Sequence, residues 1–524
     1  QTNGTEKTRN RTSDATLHLG HGSSILPGND QRSSEQSLPD TPTGDPRLFP
    51  WNGRAPCVEP RRILQRKSSG KGTKTLRSLK SNPSFKPNYH FFPITGWIND
   101  PNGLIYWKGK YHMFYQYNPK SSSYTTQIHW GHAVSEDLVH WIHLPVALYP
   151  KEERNGVFSG SAVEDDGRMK LLYTLFRDPD YYDGKKEVQC LSESADGLNF
   201  QDFPQNPVIS SPPENGFYAF RDPKVRRAGD NRWEMALGAG KDGTGRVLLY
   251  KSTNLINWHY EGVLFEYDQA KECECPDLIN IGGKDLLIFS AYTADVLGTF
   301  YFMGKIREGM LKEERSGMLD WGNDYYAAQT FFGTKRTIVI AWMQNWLQSD
   351  FSPTQREGWN GMMSLPRELH VENGELKVKP VKELESLRIS LPLSKKLSAG
   401  KNSFDLKTER NSFEIDLKTP ESFYFKLFNT KGECVKITLD NDIFEINTKD
   451  SGITEGITKR LKLEEKAERN HLRIFVDSSS VEIFLNERYP FSFRIYPEYV
   501  YNMIELVGDG GAELSVYALK NIWL

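Results

Sequence analysis

Trp97-Ile98-Asn99-Asp100-Pro101-Asn102-Gly103 is the stretch around which the rest of the chain can be organised. Its acid, Asp100, stands between an amide and a proline, and an Asn-Gly pair follows. Proline removes a backbone donor and Asn-Gly tolerates positive φ, so the pattern predicts a strand that ends sharply at Asp100. A single acid of this kind is usually a turn cap. Its catalytic meaning depends on whether the arrangement recurs.

Four later stretches have the same character, and successive copies lie 51 to 63 residues apart. They are Val157–Ala162, Phe220–Lys224, Glu274–Leu278 and Asp324–Ala328. A second motif alternates with them and begins at Ser135, Ser194 and Ser252, which are 59 and 58 residues apart. Such a period in a strand-rich chain is typical of β-propeller blades, and five inner-strand motifs predict five blades. Because inner strands face one channel, Asp100, Asp222 and Glu274 should converge on one pocket.

Composition and periodicity divide the chain into four segments and predict an all-β protein. Residues 1–84 are rich in Ser, Thr, Gly, Pro and Asn, which predicts a disordered or foreign tail. Residues 85–380 contain repeated hairpin patterns and form the predicted five-bladed β-propeller. Residues 381–390 follow Pro380 as a short amphipathic run, which predicts a helical linker. Residues 391–524 alternate apolar and polar positions, as in Phe413, Ile415 and Leu417, which predicts a β-sandwich.

The tail carries a basic run without acids from Arg61 to Lys80. This run could be an anion-binding arm, but a solvated tail is the favoured interpretation. The first methionine is Met113, so we expect a processed product or a translated upstream region. No signal peptide is visible.

The overall composition limits the classes of partner. A net charge of −2 argues against nucleic acid and anionic membranes, and no apolar run reaches the length of a membrane helix. The odd, scattered set of cysteines is not a disulfide framework, which favours a reducing, cytoplasmic location. Secretion stays open if a signal peptide has been removed. Cys273 and Cys275 lack a partner pair, so we expect no metal site and no cofactor. The oligomeric state is undetermined.

Three acids around one channel indicate glycoside hydrolysis, in which one carboxylate attacks or activates water and another delivers a proton. Asp100 follows Asn99, a donor that favours the ionised form required of a nucleophile. Asp222 follows Arg221, and an adjacent guanidinium should lower the pKa of that carboxyl and keep it charged.

Glu274 has different neighbours in the sequence. Glu272 and Asp277 lie close to it, and nearby negative charge should raise the pKa of Glu274, which suits a general acid. The alternative is that all three acids are structural turn residues. Three acids on corresponding inner strands make that alternative the weaker one.

The motifs resemble glycoside hydrolase family 32, the invertases and β-fructosidases, most closely the bacterial β-fructosidases known from thermophiles. The resemblance runs from about Phe85 to the chain end. It rests on W-I-N-D-P-N-G, F-S-G-S-A, F-R-D-P-K and E-C-P-D-L, and on the stretches Trp359–Leu369 and Val476–Leu485.

The resemblance implies a five-bladed propeller followed by a β-sandwich, and retention of configuration at the fructosyl carbon. It implies Asp100 as nucleophile, Glu274 as acid/base and Asp222 as transition-state stabiliser. It also implies sugar contacts from Trp97, Asn99, Gln116, Phe158, Ser159, Arg221, Glu272, Tyr325, and Trp342 or Trp346.

One departure from the family pattern concerns the pocket rim. A tryptophan expected there is replaced by Tyr124, with one extra residue in the loop. We therefore expect Tyr124 to contact substrate, and the sequence does not determine the preferred chain length.

The predicted function is hydrolysis of terminal β-fructofuranosides such as sucrose, raffinose and inulin-type chains. The alternative enzyme is a fructosyltransferase that uses the same site. A non-catalytic sugar-binding propeller is a third reading, disfavoured by the intact acids. A propeller acting on arabinosides or xylosides is disfavoured by the motifs themselves.

Overall fold

The computed structural model describes residues 81–152, 154–178, 186–389 and 392–523. The tail predicted over residues 1–84 lies outside the described residues up to position 80. Residues 81–84 are ordered against the C-terminal region: Ser81 forms a β-bridge with Tyr499, and the Asn82 side chain donates to the Ser478 carbonyl at 3.0 Å. Packed structure therefore begins before Phe85. Within the described ranges, no helix is long and apolar enough to cross a membrane.

Five sheets of at least four strands make up the described part of residues 96–380. The first two contain β1 (Gly96–Trp107), β2 (Lys110–Asn118), β3 (His129–Ser135), β4 (Trp141–Leu148), and β5 (Gly156–Asp165), β6 (Arg168–Phe176), β7 (Glu187–Ser194), β8 (Gln201–Asp202). The third and fourth contain β9 (Tyr218–Gly229), β10 (Arg232–Lys241), β11 (Thr244–Ser252), β12 (His259–Tyr267), and β13 (Glu274–Ile281), β14 (Lys284–Tyr292), β15 (Leu297–Arg307), β16 (Met310–Met318).

The fifth sheet is interrupted by a helical insertion. It contains β17 (Tyr326–Thr330), β18 (Thr337–Trp342), β20 (Arg367–Glu372) and β21 (Glu375–Pro380). The insertion holds helix α1 (Trp346–Ser349), a 3₁₀ helix (Pro353–Glu357) and β19 (Trp359–Asn360). Strand β19 returns to pair in parallel with β1, which links the last sheet to the first.

The first strands of the five sheets contact one another in a closed cycle, β1–β5–β9–β13–β17 and back to β1. In each sheet the next strand is antiparallel to the first. The β1–β2 hairpin turns on Lys108 and Gly109, both with positive φ, as a two-residue primed turn requires. The predicted hairpin is confirmed. The cycle brings the five sequence motifs to one axis.

Every first strand carries a β-bulge at its motif. Three steps along the first strand lie opposite two steps along its neighbour, at Ile98–Pro101, Val157–Gly160, Arg221–Lys224, Glu274–Asp277 and Tyr326–Gln329. The prediction that the strand ends at Asp100 is therefore wrong. Strand β1 continues to Trp107, because a bulge tolerates the missing donor of Pro101 and redirects the side chains beside it.

The second repeated motif forms the same turn in the first three sheets. Each serine hydroxyl bonds to the acid or amide two residues later, at 3.1, 2.9 and 3.2 Å. The oxygen of that second side chain then accepts two backbone N–H groups. The turns begin at Ser135, Ser194 and Ser252 and connect the third strand of each sheet to the fourth. The motif that recurs in the sequence therefore forms a turn held by local side-chain hydrogen bonds.

Two six-stranded sheets follow the fifth sheet. One contains β22 (Leu393–Leu397), β33 (Ala512–Ala518), β24 (Phe413–Thr419), β29 (Asn470–Asp477), β30 (Ser480–Leu485) and β31 (Tyr489–Arg494). The other contains β23 (Gly400–Asp405), β32 (Met503–Gly508), β25 (Phe423–Phe428), β26 (Cys434–Asp440), β27 (Ile443–Asn447) and β28 (Thr458–Lys462). Apolar side chains from both sheets form one buried core.

The predicted alternation is confirmed at Phe413, Ile415 and Leu417, which are all in that core. Glu414, one of the polar residues that alternate with them, is an exception because it is fully buried. It accepts from Arg388 at 2.9 Å and from Arg473 at 2.7 Å, so a paired charge replaces a solvated one.

The segment between the two regions contains a 3₁₀ helix over Lys382–Leu387, where an amphipathic helix was expected. Its apolar face, Leu384 and Leu387, is buried in a core that also contains Phe91 from the N-terminal side and Phe484 from β30. The segment therefore packs as part of the contact between the sheets before and after it.

A buried polar network joins the same two regions. His90 lies between Asp477, 2.8 Å from Nδ1, and Glu482, 3.0 Å from Nε2, with all three side chains inaccessible to solvent. Arg367 bridges Glu482 at 2.6 Å and Asp320 at 2.8 Å. Both ring nitrogens of His90 face carboxylates, so the imidazolium form satisfies both contacts.

This network predicts a pH dependence of stability. Burial lowers the pKa of His90, but hydrogen bonds to Asp477 and Glu482 outweigh it and raise the pKa above 6.5. The stabilisation is therefore complete below pH 6.5 and is lost as pH rises through the folded-state value. We expect His90→Gln to cost about 3–5 kcal/mol of unfolding free energy near pH 6.

The measurement is urea unfolding of wild type and variant at about pH 6 and about pH 9, where their difference should shrink. The exposed His140, replaced by glutamine, is the matched control and should change stability little. An equal difference at both pH values would contradict a charged His90.

Candidate active site

The three predicted acids meet at one end of the cycle of first strands. Asp100 and Asp222 are 7% and 5% exposed. The Cys275 Sγ atom lies 3.4 Å from an Asp100 oxygen and 3.6 Å from an Asp222 oxygen. The Arg221 guanidinium lies 2.6 Å from Glu274 and 4.0 Å from Asp222. The acids come from three different first strands, β1, β9 and β13, and their predicted convergence is confirmed.

The acids occupy three different positions relative to their bulges. Glu274 is the last paired residue before its bulge, Asp222 is the first bulged residue and Asp100 is the second. Asp222 has a left-handed backbone with φ of 67°. Such a conformation is costly for a non-glycine residue and is typical of functional sites.

Asp100 is held by polar side chains on both oxygens. Its Oδ2 accepts from Ser159 at 2.5 Å and from Gln116 at 3.3 Å, and its Oδ1 accepts from Asn99 at 3.1 Å. The expected Asn99 donor is therefore present. Burial still raises the pKa of Asp100, although the hydrogen bonds from Ser159 and Asn99 oppose it. The carboxylate is thus positioned firmly and solvated poorly.

A relay of side chains fixes these donors. The Trp97 indole donates to Asn99 at 2.9 Å, Asn99 donates to Gln116 at 2.9 Å, and Gln116 donates to Ser159 at 2.5 Å. All four residues were predicted as site residues, and all four belong to one network around Asp100. Each hydrogen bond in this chain fixes the orientation of the next side chain, so the donors to Asp100 are held in place.

The pKa of Asp222 is shifted in the direction opposite to the predicted one. Burial raises the pKa of Asp222 to about 7, and the carboxylates of Asp100 and Glu274 add to the effect of burial. The Arg221 guanidinium and the Cys275 N–H, which donates at 2.9 Å, act in the opposite direction but do not prevail. Sequence adjacency suggested a dominant Arg221, whereas desolvation is the larger effect.

Glu274 is held by a cation and a hydroxyl. One oxygen accepts from Arg221 at 2.6 Å and the other accepts from the Tyr326 hydroxyl. Of the acids expected to crowd it, Glu272 binds Arg221 at 2.9 Å and Asp277 binds Lys224 at 2.9 Å. Both neighbouring charges are therefore compensated by a cation.

Arg221 has a further partner that sequence reasoning missed. Glu187, at the start of β7, accepts from Arg221 at 3.2 Å and from the Phe220 N–H at 2.9 Å. Arg221 thus faces three glutamates and Asp222. Glu187 lies outside every recurrent motif, so no sequence signal marked it.

Tyr325 does not lie in the carboxylate cluster, where a sugar contact was predicted; its neighbour Tyr326 bonds to Glu274 instead. The Tyr325 ring is buried against the Arg367 guanidinium at 4.2 Å, and its hydroxyl has no hydrogen-bond partner. Tyr326 is the residue equivalent to Glu274 in the fifth bulge. A one-residue error in register moves a strand side chain to the other face.

Replacing Tyr326 by phenylalanine should lower kcat/KM about 10- to 100-fold, because Glu274 loses a charge-assisted hydrogen bond. Tyr325→Phe is the matched control. It removes an unbonded hydroxyl and should leave both kcat/KM and Tm unchanged. The measurement is the steady-state kcat/KM of the two variants. Equal values for both variants would show that Tyr326 has no role at the site.

Four aromatic rings form one wall near Asp100. Trp97 stacks on Trp346 at 6.0 Å and lies 5.8 Å from Trp342. Trp342 is fully buried behind them, which leaves Trp346 as the accessible member of the predicted pair. Tyr124 is 37% exposed and lies 5.2 Å from the Trp346 ring. Tyr124 and Trp346 therefore form the outer part of the wall.

Phe158 forms another part of the site's surroundings. Its carbonyl accepts from the Trp130 indole at 3.0 Å, and its half-buried ring stacks on Phe176 at 4.7 Å. Its neighbour along β5 is Ser159, the donor to Asp100. Phe158 is thus fixed directly beside the carboxylate cluster.

Comparisons with known proteins show the family of this chain. Residues 90–380 match the family model described as glycosyl hydrolases family 32 N-terminal domain, and residues 382–522 match the family 32 C-terminal model. A sucrose-6-phosphate hydrolase of Escherichia coli is 38% identical over 464 residues, covering 84% of this chain and 93% of that protein. A raffinose invertase of Escherichia coli is 36% identical, covering 83% and 94%.

The fold comparison gives the same result. A family 32 beta-fructofuranosidase of Bombyx mori, solved in complex with sucrose, superposes with a TM-score of 0.75 and 31% identity, covering 84% of this chain and 95% of that chain. The fold, the clustered carboxylates and these matches define a glycoside hydrolase of the β-fructofuranosidase class. The chain belongs to glycosyl hydrolases family 32, as its motifs predicted.

Proposed function

We propose that this protein is a retaining β-fructofuranosidase that releases terminal fructosyl units from sucrose, raffinose and inulin-type chains. The observation that carries the proposal is the convergence of three carboxylates, those of Asp100, Asp222 and Glu274, around Cys275 and Arg221. Glu274 is held by Arg221 and the Tyr326 hydroxyl, whereas Asp100 is held by neutral donors. Carboxylates in different environments take different roles in glycoside hydrolysis.

In the first step Asp100 attacks the anomeric carbon of the fructosyl unit. The bond to the glycosidic oxygen breaks, and Glu274 gives that oxygen its proton. In the second step Glu274 takes a proton from water, and the hydroxide attacks the same carbon and displaces Asp100. Asp100 Oδ2 is engaged by Ser159 and Gln116, so Oδ1, which accepts only from Asn99 among the hydrogen bonds above, is the attacking oxygen.

Asp222 fits the role of transition-state stabiliser because its charge is disfavoured in the free enzyme, whereas the sequence suggested a charge stabilised by Arg221. Burial disfavours its charge in the free enzyme and raises its pKa to about 7. Positive charge on the fructosyl ring would compensate that carboxylate as the bond breaks. An interaction that is stronger in the transition state than in the ground state accelerates the reaction.

The names of the relatives support a substrate that contains a fructosyl unit. They are sucrose-6-phosphate hydrolase, raffinose invertase and levanase, and the substrates in these names all contain fructosyl units but differ in the group attached to them. Sugar contacts from Trp97, Asn99, Phe158, Arg221 and Trp346 are part of the proposal, as is a rim contact from Tyr124. Glu272 is held by Arg221 near the acid/base and completes the set.

We extend the proposal to the architecture and location. The cyclic contacts of the five first strands support a five-bladed propeller over about residues 85–380, joined by residues 381–390 to a sandwich over 391–524. Cys190, Cys273, Cys275 and Cys434 are free thiols, which supports the cytoplasm.

The test is to incubate the protein with sucrose, raffinose and inulin and to measure glucose and fructose from sucrose separately. Equal release of the two sugars from sucrose indicates hydrolysis. Glucose in clear excess over fructose, with longer oligosaccharides formed, would indicate the fructosyltransferase alternative. Absence of any release by a folded protein would reject both enzymes and favour a sugar-binding propeller.

A further inference from the structure

A cleft that none of the three acids lines lies in the first two sheets. Its volume is about 320 Å³, within the range of small-molecule sites. It is lined by residues of the loop after β4, of β6 and β7, and of the segment that includes β8. The principal side chains are Tyr149, Lys151, Asn155, Arg177, Cys190 and Asp202.

The cleft is close to the active site but on the other face of one strand end. Phe176, the last residue of β6, stacks on Phe158 beside the carboxylate cluster. Leu175 and Arg177, its two neighbours in the chain, line the second cleft. Successive side chains of an extended segment point to opposite faces. The two sites therefore share a wall without sharing side chains of the catalytic set.

The charges of the lining cancel. Lys151 and Arg177 carry positive charge, and Glu152 and Asp202 carry negative charge. Lys151 lies 2.5 Å from Asp202, whose other oxygen accepts from the Tyr173 hydroxyl at 3.2 Å. Burial raises the pKa of Cys190 to about 12, so its thiol is neutral. The cleft thus offers both donors and acceptors without net charge, which suits a neutral polyhydroxyl ligand better than an anion.

An exposed aromatic ring stands at the edge of the same cleft. Tyr149 is 58% exposed, and its ring meets His129 edge-on at 5.7 Å. The contact supports the ring while leaving much of it open. An apolar ring face beside a few polar groups is the usual wall of a specific small-molecule site. A sugar ring, with apolar C–H faces and a polar edge, matches both surfaces.

We propose that this cleft is a saccharide-binding site for a neutral sugar unit, separate from the catalytic centre. The sugar ring packs on Tyr149, and its hydroxyls bond to the Lys151–Asp202 pair. Binding here requires no cleavage chemistry, so it goes beyond the proposed function and stands or falls independently of it.

The test is calorimetric titration with raffinose of the Asp100→Asn protein, in which cleavage is blocked. We expect two binding events per chain. Adding Tyr149→Ala should remove one event or weaken it at least about 10-fold, which corresponds to about 1.4 kcal/mol. Tyr106→Ala is the matched control, an exposed tyrosine on β1 outside the cleft, and should retain both events.

Lys151→Met provides a second variant and should weaken the same event as Tyr149→Ala. A single event that Tyr149→Ala leaves intact would overturn the proposal, as would displacement of raffinose from the cleft by inorganic phosphate, which would make it an anion site. A single event that Tyr149→Ala removes would support the cleft and count against sugar binding at the carboxylate cluster. Failure of the wild-type protein to cleave sucrose would reject only the proposed function.

Discussion

Asp100→Asn should fold normally and lose nearly all turnover of sucrose, by about 10⁴-fold or more. The amide keeps the shape of the carboxylate and can still accept from Ser159, but it cannot form the covalent intermediate. Burial raises the pKa of Asp100, so its ionised form is disfavoured in the folded state, and a neutral side chain should not lower the Tm. The measurements are initial rate and thermal unfolding.

The matched control is Asp165→Asn, at the far end of β5 from Ser159. It makes the same chemical change on a first strand and should retain full activity. If Asp100→Asn kept more than about a tenth of wild-type activity, Asp100 could not be the nucleophile.

Glu274→Ala should slow sucrose hydrolysis by about 10²- to 10⁴-fold, because no acid remains to protonate the leaving oxygen. The loss should be much smaller with an activated fructosyl donor, whose leaving group needs no proton. A covalent intermediate should then accumulate, because no base activates water. Azide needs no base, so it should restore turnover by attacking the intermediate. Arg221 keeps Glu187 and Glu272 as partners, so the fold should persist.

Asp222→Ala should behave differently in the same experiment. Its carboxylate acts on the developing ring charge, so its loss should slow both donors alike and azide should not help. The comparison uses both variants, both donors, and assays with and without azide. Rescue of Asp222→Ala alone would exchange the two roles, and rescue of neither would reject Glu274 as the base.

Much of the site could be predicted from the sequence because the fold repeats. The motifs around Asp100, Asp222 and Glu274 belong to a set of five, one on each first strand, and recurrence alone implied a shared axis. The side chains around Asp100 were also predictable, since Asn99 and Ser159 fall within the same motifs and the family resemblance implied Gln116. Local hydrogen-bonding patterns such as the turn at Ser135 needed no tertiary information.

The errors have physical causes that the sequence does not contain. Tyr325 and Tyr326 are identical neighbours in the sequence, and only the strand pairing shows that Tyr326 is the residue equivalent to Glu274. Glu187 comes from the third strand of its sheet, and only the packed structure brings it to Arg221. The pKa of Asp222 follows from burial, which neighbouring residues in the chain cannot reveal. The buried pairings of Glu414 and His90 depend on contacts between distant segments.

The repeated bulge separates backbone geometry from side-chain chemistry. Five strands present the same irregular segment to one axis, yet acids occupy the position before the bulge, its first residue or its second. Because the backbone pairing is the same in each case, the identity of the side chain at any one position is not fixed by the fold. Phe158 and Ala327 occupy the position that carries the acid Asp222 in β9. A scaffold of this kind can acquire a different reaction by substitution of side chains at equivalent strand positions, without any change in the backbone of the strands.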